Sequence, residues 1–325
     1  MPQIGRTRAV GIGKETTWGT VVAPSYWLPL TDISYRNKIE AVVKEGMRAR
    51  IEATYGHDVS KQWSEGTIEG NVYSEGFGLM LLGTLGTVST ALNSDGSGLV
   101  YDHTFTVSNT NTHQSLTIGV DDTEIGDKSF AGATLNSLEL QMERDNYIKY
   151  SADFMGKTSA TATLTPSFGT EYLLRPQDVS FKHATDSTGL GAATATAVKS
   201  MTLKVEKNAE SNFNLGSTDP SQVYNKQFAI TLDIELLYSA DTLHDYWTAG
   251  TSRAIEMTIT NTNQTIGTAA NPSLDIILYS AQITDWENSG GIDDLQTQTL
   301  TFRADYSSSD SKMIQAVLTN LVTAY

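Results

Sequence analysis

The 325 residues carry 22 basic and 37 acidic side chains, a formal net charge of −15, and no cysteine. That balance argues against tight wrapping of nucleic acid, whose affinity rests on Lys and Arg neutralising phosphates. The missing thiol excludes disulfides, thiolate metal sites and a cysteine nucleophile. The length predicts two domains, and abundant Thr, Ser, Asn and Gly beside 7 prolines predict a β-rich chain with many turns.

In chain order, MPQIGRTRAV lacks the apolar h-region of a secretory signal. The next ten residues, GIGKETTWGT, superficially suggest a phosphate-binding loop. However, Arg8 stands where such a loop needs its first glycine, and Glu15 follows Lys14 where a Ser or Thr should ligand Mg²⁺. The stretch is therefore not read as a nucleotide site. Five basic residues, Arg36, Lys38, Lys44, Arg48 and Arg50, then cluster within fifteen positions. EGFGLMLLG (Glu75 to Gly83) predicts a short helix. The apolar run that contains it, Phe77 to Val88, is too short and too glycine-broken to span a bilayer, so no membrane partner is expected.

Strands dominate the rest of the chain. Tyr101 to Val107 and Ser115 to Val120 read as strands, and in LELQME (Leu138 to Glu143) Leu138, Leu140 and Met142 alternate with Glu139, Gln141 and Glu143. Such alternation marks a strand with one buried and one wet face. SATATLTPSFG (Ser159 to Gly169) reads as a linker. Beyond it, Met201, Leu203 and Val205 alternate with Thr202, Lys204 and Glu206. Phe228, Ile230, Leu232, Ile234 and Leu236 alternate with Thr231, Asp233 and Glu235. ADTLHDYWTAG (Ala240 to Gly250) predicts a second helix, with Ser239 as N-cap and Gly250 as stop. A last helix is predicted from Ser311 to Leu321, where Met313, Ile314, Val317, Leu318 and Leu321 share a helical face.

The chain also repeats itself. SYWLPLTDISYRN (Ser25 to Asn37) returns as EYLLRPQDVSFKH (Glu171 to His183), an offset of 146 from Tyr26 to Tyr172. KQWSEGTIEGNVYS (Lys61 to Ser74) resembles KQFAITLDIELLYS (Lys226 to Ser239) at 165. FTVSNTN (Phe105 to Asn111) resembles MTITNTN (Met257 to Asn263), and SADF (Ser151 to Phe154) resembles RADY (Arg303 to Tyr306), both at 152. Four matches in the same order predict a tandem duplication, with one unit at 1–165 and its duplicate at 166–325. Each unit reads as a β-sandwich or rolled sheet carrying one short α-helix.

Catalytic signatures are missing from the sequence. His57, His103, His113, His183 and His244 show no metal-ligand spacing, and His103 and His113 read as solvated loop or edge residues. No Gly-x-Ser-x-Gly elbow exists. DDTEIGD (Asp121 to Asp127) has its glycine one position early for a calcium loop and reads as a polar turn. Asp233 and Glu235 lie about 7 Å apart along a strand, as alternating acids on any exposed strand face do. No cofactor, metal or enzymatic activity is expected.

IGKETTWGTVVAPSYWLPLTD (Ile12 to Asp32) resembles the start of the tail tube proteins of long-tailed bacteriophages, through Glu15, Trp18, Gly19, Thr20 and Pro24. The resemblance implies a mainly β virion protein whose inner sheets join on assembly into a β-barrel ring, stacked into a tube. Single-domain members form hexameric rings, so a duplicated chain implies three copies and pseudo-sixfold symmetry. The implied partners are further copies of the chain, the tape-measure protein, the tail terminator and the distal tail protein, with DNA passing through the lumen unread. Assembly in the host cytoplasm goes with that role. Rival readings are a distal tail or terminator ring protein, or a carbohydrate-binding or hydrolytic β-sandwich of an adhesin.

Both halves are acidic: 13 basic against 19 acidic residues over 1–165, and 9 against 18 over 166–325. A negative wall repels phosphates, and Glu139, Glu143, Asp233 and Glu235 are the candidate lumen acids. Residues 1 to about 24 are expected to form an extended arm whose Trp18 docks on a neighbouring subunit or ring. Arg36, Lys38, Lys44, Arg48 and Arg50 are expected on a loop reaching an acidic neighbouring ring.

Overall fold

The computed structural model describes residues 4–325, and its strands fall where the sequence alternates. The first half runs β1 (Ala9–Lys14), β2 (Tyr26–Leu28), β3 (Leu30–Val43), β4 (His57–Asn71) and helix α1 (Phe77–Leu85). It continues with β5 (Gly86–Leu92), β6 (Tyr101–Val107), β7 (Leu116–Asp121), β8 (Lys128–Glu143), β9 (Lys149–Gly156) and β10 (Ala160–Thr161). The second half holds β11 (Val179–Ala184), β12 (Ser200–Glu206), β13 (Glu210–Asn212), β14 (Gln222–Tyr224), β15 (Ala229–Leu237) and helix α2 (Thr242–Thr248). It ends with β16 (Arg253–Thr260), β17 (Ser273–Ser289), β18 (Thr297–Ala304) and β19 (Ile314–Asn320). The architecture is mainly β, and its strand pairings are antiparallel.

One strand order occurs twice. In the first half β3 pairs with β4, β4 with β9, β9 with β8, β8 with β7 and β7 with β1. In the second, β12 pairs with β15, and β18, β17, β16 and β11 come next in the same sense. In each half the helix follows the second strand of this order, α1 after β4 and α2 after β15. The two sheets are not separate bodies. β12 pairs along the far end of β8, from Ser200 opposite Glu143 to Glu206 opposite Ser137. β19 also bridges the halves, pairing with β6 on one side and β17 on the other. The expected linker is pinned as well: Ala160 and Thr161 pair with Ser129 and Lys128, and the Leu164 N–H donates to Asp127 at 2.6 Å.

These pairings revise the sequence matches. The Ser25–Asn37 and Glu171–His183 segments fall on β3 and β11, which hold different places in the two orders, and in the third match β16 belongs to the second order whereas β6 lies outside the first, between β5 and β19. The second match is off by one. Register equates Ile68 with Ile234, both buried and both opposite the equivalent residues of β9 and β18. At the offset read from sequence, Ile68 would align with exposed Asp233, and a one-residue slip exchanges the faces of a strand.

The core lies behind the shared sheet. All nine residues of α1 are buried, as befits a helix that is apolar all round. It ends at Gly86, whose φ of 96° is the left-handed C-cap that glycine supplies without strain. Leu81 and Leu85 meet Leu138 and Leu140 of β8 and Leu203 and Val205 of β12 in one apolar seam, so α1 sits over the joint between the halves. Helix α2 buries only Leu243, and its N-cap position is Asp241 rather than Ser239. The predicted helix over 311–321 is strand β19. Ile314, Ala316 and Leu318 alternate inward, and unfilled edges on both β6 and β17 outweigh a helical spacing that fits almost as well.

Candidate functional site

The continuous sheet has one face in the core and one wet face. Ile33, Ile68, Ala152, Leu138, Met201, Ile234 and Leu300 point toward the core. Period two then places Glu69, Asp153, Glu139, Glu143, Asp233 and Glu235 together on the other face. The four candidate lumen acids, drawn from both halves, thus share one surface. Glu143, Ser200 and Glu235 occupy a single rung across β8, β12 and β15, with Gln141, Thr202 and Asp233 on the next. Glu139 stands opposite Lys204, Glu235 is held by Lys199 at 2.5 Å, and Asp233 accepts from the Thr301 hydroxyl at 2.5 Å.

The structure divides the basic cluster in two. Arg36 and Lys38 lie on β3 and both reach Glu65, at 3.2 and 2.6 Å. Partial burial pushes the Glu65 carboxyl up, but hydrogen bonds from Lys38, Trp63 and Arg36 together hold it below the usual range. Lys44, Arg48 and Arg50 belong instead to the far end of the β3–β4 hairpin. There Lys44 pairs with Asp58 at 2.7 Å and Arg48 stacks on Tyr55, 4.1 Å from the ring centre. That hairpin also exposes Ile39, Val42, Val43, Met47 and Ile51.

Among the described residues, two sheet edges on this face have no strand partner. β3 pairs only with β4. β17 pairs with β16 no further than Ala281, which leaves the edge of Asp285–Ser289 opposite β18 vacant. Beside that second edge Trp286 lies half-buried, 6.0 Å from Trp247 in a stacked pair and 4.6 Å from His244. Sequence reasoning passed over this site. Its signal was the alternation in Asp285, Trp286 and Glu287, which looks like any amphipathic strand until the pairing is known.

The expected free arm is corrected over the described residues. β1 is paired along its length with β7 and partly with β2. Gly11 and Gly13 allow the 22–24 segment to cross closely, since a Cβ on either would press against Pro24 or the Ala23 carbonyl. Glu15 is 2% exposed, and its carboxylate accepts four hydrogen bonds of 2.8 Å, from the Gly19 and Gly132 N–H groups and the Ser115 and Thr117 hydroxyls. Trp18 packs on its own chain, against Gly132, with the Lys157 ammonium 5.2 Å from its ring centre. The Glu-aromatic-Gly-Thr stretch is a clamp that closes the β1 end of the sheet. Residues 1 to 3 of the arm lie outside the described residues.

Buried titratable groups serve the core. His103 and His113, expected in solvent, are 0% and 8% exposed. The His103 ring contacts Thr90 through one nitrogen and Asn320 and the Val322 carbonyl through the other; that of His113 contacts the Thr84 and Ser108 carbonyls. Burial lowers both. Lys207 is fully buried, donates to the Gly83 carbonyl at 2.7 Å at the end of α1, and is pushed down to about 7 by desolvation. Glu171 is raised to about 7 by burial and the nearby Glu75 charge, against a hydrogen bond from the Gly76 N–H. Asp121 to Asp127 is the β7–β8 turn, in which Asp122 accepts from the Glu124 and Ile125 N–H groups and pairs with Arg8 at 2.9 Å.

A polar, acidic sheet face backed by a helix-covered core, with an open edge at each end, is the build of a structural β protein. The family model of the phage tail tube protein matches residues 5–304, and the chain belongs to that family. No curated protein matches it. Membership makes it a component of the virion that assembles with itself into a tube.

Proposed function

We propose that three copies of this chain close into one ring of the tube, with pseudo-sixfold symmetry, and that stacked rings form the conduit for the tape-measure protein and then for DNA. One observation carries the reading. The two halves already join edge to edge through β8 and β12, while an equivalent edge stands open at each end of the joined sheet.

Each copy supplies eight successive strands, in the order β3, β4, β9, β8, β12, β15, β18 and β17. A closed eight-stranded barrel is filled by its own side chains. Eight strands from each of three copies, at the usual spacing and tilt, give a wall about 40–50 Å across between backbones. That leaves a bore wide enough for a nucleic-acid duplex. The apolar face is already committed to the core, so the face bearing Glu139, Glu143, Asp233 and Glu235 is the one available to the lumen.

The hairpin tip with Lys44, Arg48 and Arg50 reaches an acidic neighbour in the adjoining ring. The tail terminator and the distal tail protein cap the tube's two ends, and assembly takes place in the host cytoplasm. Electron microscopy of the purified protein tests the reading. Stacked rings with a central hole and three copies per ring are expected, and sixfold rings of whole chains or persistent monomers would overturn it. Tube yield should also fall as salt rises through the screening range, and an indifferent yield counts against the hairpin contact.

A further inference from the structure

Resting on the ring reading, we propose a specific register for the joint between copies. β3 of one copy docks along β17 of the next as β12 docks along β8 within the chain. Arg36 then stands opposite Glu287 of the neighbouring copy, and Lys38 opposite its Asp285.

The register follows from two matching rungs. In the first half, Tyr35, Gly66, Phe154 and Leu135 lie side by side across β3, β4, β9 and β8. In the second, Leu203, Leu232, Phe302 and Ile283 do so across β12, β15, β18 and β17. Immediately after Leu135 and after Ile283 the register shifts by one residue, at Asn136 and at Thr284. Bulges are placed features of a sheet, and this shared one fixes the correspondence. Ser137, Leu138, Glu139 and Gln141 correspond to Asp285, Trp286, Glu287 and Ser289. Ser34, Arg36, Asn37 and Lys38 correspond to Thr202, Lys204, Val205 and Glu206.

Inside the chain Lys204 faces Glu139, Val205 faces Leu138 and Thr202 faces Gln141. Carried to the open edges, this register sets Arg36 against Glu287, Lys38 against Asp285, Asn37 against Trp286 and Ser34 against Ser289. Both charged pairs are complementary, and Arg36 with Glu287 repeats the sense of Lys204 with Glu139. A slip of two residues either way keeps only one of the two pairs, and a slip of one turns Arg36 and Lys38 to the other face. The core side of the edge agrees. Where the internal joint buries Leu138, the open edge presents half-exposed Trp286 stacked on Trp247, the residue type that anchors protein interfaces.

The cysteine-free chain allows a direct test. Residues directly opposite on paired strands have Cβ atoms about 4.5–5.5 Å apart, close to disulfide reach. The double variant Ser34→Cys with Ser289→Cys, oxidised after assembly, should give a non-reducing gel ladder ending at a closed trimer. Ser34→Cys with Asp285→Cys, displaced by four residues, should stay monomeric on the gel, as should Ser34→Cys alone. Independently, Arg36→Glu and Glu287→Arg should each raise the critical concentration for assembly severalfold, and the double reversal should restore it. Intact tubes by microscopy without the Ser34–Ser289 crosslink would overturn the register and leave the ring reading standing. Crosslinking of Ser34→Cys alone would assign the β3 edge to another β3. The lack of rings in the unmodified protein would overturn both.

Discussion

Replacing Glu15 with Gln tests whether the clamp at the start of the chain is held by charge. Both carboxylate oxygens accept one backbone N–H and one hydroxyl each, at 2.8 Å, in a site that is 2% exposed. The amide keeps one acceptor and turns an NH₂ group toward the other pair. A hydroxyl can rotate to accept from it, but the N–H of Gly19 or Gly132 cannot. The change therefore weakens the charge-assisted bonds and orphans one buried donor, about 3–6 kcal/mol together. With an unfolding entropy near 2.1 cal/mol/K per residue, a chain of this length loses roughly 1.5 °C per kcal/mol. Thermal unfolding followed by circular dichroism should then show Glu15→Gln melting about 4–9 °C below the unmodified protein. A midpoint within about 1 °C would refute the argument, because a neutral amide would then serve four donors as well as a carboxylate does.

Trp18→Ala should lower stability by about 2 kcal/mol in urea titration yet leave tube yield unchanged at temperatures where both proteins are folded, since Trp18 packs within the chain. Lys207 loses its proton far more readily folded than unfolded, so stability should rise with pH from about 7 toward the ordinary lysine range of 10.5. Lys207→Met should remove that rise, worth up to about 5 kcal/mol, as urea midpoints at pH 7 and pH 10 would show. Glu171 has the opposite sign: folded it keeps its proton up to about 7, against 4.5 ordinarily, so stability falls as pH climbs through that window. Glu171→Gln should flatten the fall by about 3 kcal/mol, and an unchanged slope would disprove its assignment to this group. Asp233→Lys with Glu235→Lys should leave tubes intact but slow DNA ejection, and unchanged ejection would remove these acids from the lumen wall.

How far the sequence spoke depended on the range of the interaction. Alternation in Leu138–Met142, Met201–Val205 and Ile230–Leu236 announced strands and their wet faces, because side-chain direction in a strand is set locally. The same rule put Glu139 with Glu143, and Asp233 with Glu235, on the wet face of their own strands, whereas their sharing one surface follows only from the β8–β12–β15 pairing. Relations between strands were less legible. The repeat between Lys61–Ser74 and Lys226–Ser239 was found one residue out of register, since Thr- and Ser-rich strands resemble one another at neighbouring offsets. Ile314–Asn320 carried a helical spacing and became a strand because β6 and β17 each needed a partner. Trp18 looked like a contact for another subunit because its own partner, Gly132, is distant in sequence and offers no side chain to signal the contact. The histidines misled for a similar reason: nothing near His103 shows that Asn320 and the Val322 carbonyl will receive its ring.

β19 gives the fold a clock. It pairs with β6, whose residues precede it by more than 200 positions, and with β17, and so fastens the two halves to each other. A ribosome delivers β19 after both of those strands, and contacts of such long range form late. Until then the two halves meet through the β8–β12 joint and the contacts of the 171–174 and 207–225 segments, without the strand that couples β6 to β17. The sheet that carries the open β17 edge is thus completed only once β19 has been made.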